Sequence, residues 1–210
     1  MDFSISMALV DYIPVAFFFF AAAILMRDLY DKMTKASFAL FAAGSLNITI
    51  AGFLKATWKL LYAAGVCDFA ALNNMFFPTQ SLGFLLAGAG LLLMLIKSKG
   101  KTKLRSVAPP VFTGTFVFVG LMVAGLGVMD VVLCILAKKM KKPWLIALFI
   151  LSFVCSLGMG YLSSKDFAQA SMNWIAEGVN VVGQGTLLLG VYLLHKNGLA
   201  DLKLGGGEEA

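Results

Sequence analysis

Four polar residues, Asn173, Glu177, Asn180 and Gln184, interrupt the last apolar stretch of the chain. Their spacing of +4, +3 and +4 puts all of them on one face of an α-helix. Amides and carboxylates facing lipid are costly, so the stripe must face protein or water. Gln184 follows Trp174 by ten residues, a depth of ~15 Å. The stripe therefore reads as a path from a membrane rim towards the midplane. Its amides would replace a solute's hydrogen bonds to water, and Glu177 would supply a negative field or accept a proton. Interhelical hydrogen bonding is the structural alternative.

A second polar group, Asn73, Asn74, Thr79, Gln80 and Ser81, marks the start of the third apolar stretch. Asn73 and Gln80 are seven apart, hence on one face. They make a candidate second half-path, with helix N-capping as the alternative. Lys55 and Lys59 close the second stretch and read as snorkelling lysines. Asp11 and Asp130 would fall at the same membrane face, so Lys55–Asp130 and Lys59–Asp11 are candidate charge pairs. Gating or proton coupling would be their sharper role.

The elements that must hold these residues are helices in a bilayer. The 210 residues are 60% hydrophobic and 13% charged, and the mean hydropathy is +0.88. Soluble domains are about 45–50% apolar. The fold class expected is all-α, a polytopic integral membrane protein with six transmembrane helices. They fall near Tyr12–Met26, Ser37–Leu54, Met75–Ile96, Val111–Ala137, Pro143–Leu162 and Trp174–Leu194. Every Trp and Tyr lies near a span end, as interfacial aromatics do. One membrane domain, residues 1–198, is followed by a flexible polar tail, 199–210. The N-terminal apolar run has no basic residue before Arg27, so it reads as a retained helix and not a signal peptide.

Short similarities between the halves suggest a repeat, 7–97 and 108–196. Lys32-Met33-Thr34-Lys35 resembles Lys139-Met140-Lys141-Lys142, and Asp68-Phe69-Ala70 recurs as Asp166-Phe167-Ala168. With helices alternating in direction, three-helix repeats must be inverted, an arrangement common in transporters. On that topology the Lys and Arg residues divide nine to eight between the two sides, so the positive-inside rule barely chooses. The dense cluster Lys97, Lys99, Lys101, Lys103 and Arg105 favours an external N-terminus, in the plasma membrane. The same cluster would meet anionic lipid headgroups.

The leading expectation is a small-solute or ion transporter or channel, with a polar path between the repeats. A non-transporting module binding a lipid, an apolar ligand or a helical partner is the alternative, and a membrane-embedded enzyme the third class. No metal site or cofactor is expected: the lone histidine, His195, and three scattered cysteines make no ligand set. The net charge of +6 lies in loops without a nucleic-acid motif, so no nucleic-acid partner is expected. A homo-oligomer is compatible with the stripes of small residues along the helices. Leu72-x-Asn74-x-x-x-Pro78 and Glu177-Gly178 resemble segments of the six-helix urea/amide channel family. The resemblance covers about two of six helices and lacks that family's tryptophan pattern, so no residue role is carried over from it.

Overall fold

The computed structural model describes residues 4–97, 115–162 and 170–204, and every regular element among them is helical. The helices are α1 (Ile5–Val10), α2 (Tyr12–Leu29), α3 (Lys35–Ala63), α4 (Ala70–Asn74), α5 (Phe76–Lys97), α6 (Thr115–Lys139), α7 (Ile146–Leu162) and α8 (Ala170–Lys196). Six segments are long and apolar enough to cross a membrane, the number expected from the sequence. Two of them, α1–α2 and α4–α5, are each broken once, and proline accounts for both breaks. Pro14 cannot donate to the carbonyl of Val10, nor Pro78 to that of Asn74, and α1 and α4 end at those residues. The first break sets Asp11 at the junction of α1 and α2.

The helices pack in chain order, and α2 closes the ring by packing on α8. Small residues set the tightest approaches. The backbone of Gly44 on α3 meets Gly83 and Ala87 on α5, and Gly90 on α5 meets Ser37 and Phe41. A Cβ on Gly88 would stand 2.6 Å from the carbonyl oxygen of Gly125 on α6. Of the small residues spaced along α6, Gly120, Ala124 and Gly127 do not make this contact. Gly120 meets no neighbour and Ala124 is exposed, because the face turned to α5 carries Gly125 instead.

Residue pairs fix the helix directions. Asp11 and Glu177 share Lys59, and Asp28 meets His195, so α2 and α8 run parallel. The α7–α8 pairs Gly158–Val179, Gly183–Cys155 and Gly190–Phe149 are antiparallel, and a short turn joins α6 to α7. Hence α2, α5, α6 and α8 all begin at one end, here the upper end, and α3 and α7 finish there. Each half runs down, up, down. This corrects the expectation of inverted repeats: inversion requires α2 and α6 to be antiparallel, and they are parallel. It equally corrects the picture of helix 3 and helix 6 beginning on opposite faces. Lys97 and Thr115 stand at opposite ends of the bundle; residues 98–114 lie outside the described part.

The lower half is a dry plug. Leu25 and Leu29, Phe41, Leu91 and Met94, Leu133 and Leu136, Phe149, and Val191 and Leu194 bring all six long helices into one buried cluster. Leu199 and Leu204 are buried in it too. The polar tail therefore begins later than residue 199; residues 205–210 lie outside the described part.

A charged cavity inside the helix ring

The upper half encloses a cavity of about 150 Å³, to which every long helix contributes. It has room for roughly ten waters or a ligand of similar size. Lys59 of α3 is its electrostatic centre. Its Nζ lies 2.6 Å from a carboxylate oxygen of Asp11 and 2.6 Å from Oε1 of Glu177. All three side chains are at most 10% exposed. Two carboxylates on one ammonium leave the cluster with a formal charge of −1. Lys55, one turn earlier on α3, also lines the cavity and brings the total to zero. Its Nζ stands 4.0 Å from the centre of the Phe76 ring and 5.9 Å from that of Phe77, a cation–π position.

These lysines end up inside because α3 does not stop at Leu54, the end expected from the sequence. It continues to Ala63. The added turns carry Trp58, which donates to Asp68 at 2.9 Å, and Thr57, whose hydroxyl pairs with that of Tyr12 at 2.9 Å. Snorkelling is therefore not what Lys59 does. The apolar residues Leu60, Leu61 and Tyr62 were the available sign that the helix runs on.

The structure brings Glu177, Asn180 and Gln184 together on one cavity wall, with Gln80 of α5 on another. Glu177 Oε2 and Gln184 Oε1 are buried and have no hydrogen-bond partner among the described residues. Asn173 is buried one turn above Glu177 and does not line the cavity. Asn73, on the short helix α4, does not line it either. The two expected half-paths thus become one chamber, since α5 and α8 both begin at the upper end.

Of the two candidate charge pairs, Lys59–Asp11 forms and Lys55–Asp130 does not. Phe76, under Lys55, lies two turns above Phe84, whereas Asp130 lies more than a turn below Gly125, the neighbour of Phe84. That is roughly 20 Å along the bundle. Asp130 is 5% exposed, and neither of its carboxylate oxygens has a hydrogen-bond partner among the described residues. The cysteines are free, with Cys67 exposed at the upper end. Lys99, Lys101, Lys103 and Arg105 lie outside the described residues.

The remaining wall was not singled out from the sequence as a site. Phe18, Phe77, Phe84, Met122 and Met159 supply apolar surface, and Thr49 and Ser156 supply hydroxyls. Ser156 belongs to a stripe of small residues that reads equally well as helix packing. Nothing in a lone aromatic or Met distinguishes cavity wall from core. No family model, curated protein or solved structure matches the chain.

Proposed function

We propose that the protein is a small-solute transporter of the membrane, with the upper cavity as its binding chamber and the lower plug as its closed gate. One observation carries this reading. Four charged side chains and three amides line a chamber reached by six apolar helices, above a layer packed mainly with buried apolar side chains. Buried charge of this kind is costly in a bilayer and marks ion and substrate pathways. Alternating access would need only that the plug part while the charged layer closes.

The helix directions also favour one orientation. Arg27, Lys32, Lys35, Lys138, Lys139, Lys141, Lys142, Lys196 and Lys203 all belong to the lower end. Among the described residues the upper half carries only Lys55 and Lys59, both within the chamber. By the positive-inside rule the lower end is cytoplasmic, and the N-terminus and chamber face outwards. The near tie in the sequence came from placing the two basic loops on opposite sides. The halves then read as parallel repeats about an axis along the membrane normal, the second of the two transporter arrangements. Lys32–Lys35 and Lys139–Lys142 fall at the same end, as that relation requires.

Solute flux into proteoliposomes tests the function, comparing wild type with Glu177→Gln. We expect flux that the substitution abolishes while the protein stays folded. A folded Glu177→Gln variant with unchanged flux excludes this chamber as the route. Cys67 tests the orientation, because a membrane-impermeant maleimide should label it in intact cells. The second reading, a module that binds a lipid or apolar ligand without moving it, draws on the Phe and Met wall. Copurified lipid in the chamber, with no flux, would establish it.

A further inference from the structure

The chamber holds two unfilled poles of opposite sign. At one, Lys55 offers an ammonium with no carboxylate within ion-pairing distance among the described residues, resting on the Phe76 ring. At the other, Glu177 lines the cavity, its Oε1 held by Lys59 and its Oε2 buried with no hydrogen-bond partner among the described residues. Lys55 and Lys59 are one turn apart on α3, with Cβ atoms ~5–6 Å apart, so both poles belong to the same level of the chamber. Gln184 adds an unpartnered carbonyl oxygen deeper in. Phe18, Phe84 and Leu126 close the floor with apolar surface.

The charges lining the chamber cancel: Asp11 and Glu177 against Lys55 and Lys59. A singly charged solute would bring an uncompensated charge into a low-dielectric site, at high cost. A neutral molecule with separated charges would not. It would give Lys55 a carboxylate, give Glu177 an ammonium, and cover the floor with an apolar group.

We infer that the chamber binds a compact zwitterion with an apolar side group, of the apolar α-amino-acid type, its carboxylate on Lys55 and its ammonium on Glu177. This deepens the transport reading and rests on the same chamber. A lone cation would be drawn to Glu177 but repelled by Lys55. A lone anion would meet the reverse.

The test is equilibrium binding to the purified full-length protein in detergent. The probes are L-leucine, its cationic amide L-leucinamide, and its anionic derivative N-acetyl-L-leucine. L-leucine should bind at least ~10-fold more tightly than either singly charged analogue, as loss of one charge-assisted contact implies. Lys55→Met is the informative variant, since Lys55 takes part in none of the ion pairs that hold Asp11, Lys59 and Glu177 together. It leaves the chamber at −1, so the preference should invert, with L-leucinamide binding more tightly than L-leucine. Unchanged thermal unfolding would show that the variant is folded. Should Lys55→Met unfold, Lys55→Gln removes the same charge with a polar end retained, and the same inversion is expected. Equal binding of the three probes, binding of none, or an unchanged order in the folded variant overturns the inference. The two readings fail separately. Leucine binding without flux keeps the ligand class and removes transport. Flux of another solute that depends on Glu177, with no leucine binding, does the opposite.

Discussion

The upper and lower halves of the ring use the same six helices for opposite ends. Above, the inward positions carry Asp11, Lys55, Lys59, Gln80, Glu177, Asn180 and Gln184, and the helices stand apart around a cavity. Below, the buried cluster is Leu, Phe, Met, Val and Ala, with Asp28, Ser37 and Asp130 as the buried polar exceptions. Hydrophobic composition alone does not separate the halves, because both are outwardly apolar. What separates them is whether the inward stripe is polar, and so whether packing or charge pairing decides stability.

The largest test of that contrast is Lys59→Met. It strands two buried carboxylates, and loss of one member of such a cluster costs about 3–5 kcal/mol. We expect a large fall in the thermal unfolding midpoint, recovered when Asp11→Asn and Glu177→Gln are added. An unchanged midpoint would mean that the cluster is open to water. In the plug, Leu133→Ala should cost about 2–5 kcal/mol by leaving a void in a close-packed layer. Val123→Ala, on the chamber wall, should cost under about 1 kcal/mol, since it only widens an existing space. Equal losses would show the chamber to be as tightly packed as the plug. Accessibility gives the same contrast without stability. With the native cysteines replaced, Thr49→Cys should react with a water-soluble methanethiosulfonate, and Leu133→Cys should not.

Helix direction supplies a sharper test. Lys97→Cys and Thr115→Cys should be labelled from opposite sides of the membrane in sealed vesicles. Labelling from one side would restore alternating helices and inverted halves. A further test lies at the lower rim, where Asp28 accepts from His195 at 2.8 Å and from Arg27 at 3.1 Å. Asp28→Asn keeps part of that network, so a loss of about 1–3 kcal/mol is expected, with chamber binding unchanged.

Much of this architecture was legible in the sequence. Helix number follows from apolar run length; the breaks before Pro14 and Pro78 were not expected, because both prolines read as first-turn residues of unbroken spans. The stripe Glu177, Asn180, Gln184 was readable because polar residues at +3 and +4 inside an apolar helix have few explanations. What was hidden depends on contacts across the chain. The pairing of Lys59 with Glu177 joins residues 118 positions apart, and no local spacing announces it. The direction of α6 was hidden because alternation is the default for successive spans. Once that default fails, the inverted repeat, the charge tie and the opposed half-paths fail together, since all three were deduced from it.

The directions have an electrostatic consequence. Each α-helix carries about half a positive charge at its N-terminus and half a negative one at its C-terminus. In a ring of alternating helices these cancel. Here four long helices begin at the upper end and two finish there, leaving a surplus of about one positive charge-equivalent above and one negative below. Asp11, at the N-cap of α2, lies where that field favours a carboxylate, and the lysines of the lower rim lie where it favours ammoniums. The bundle as a whole thus acts as a dipole, and the charged residues at these helix ends oppose it.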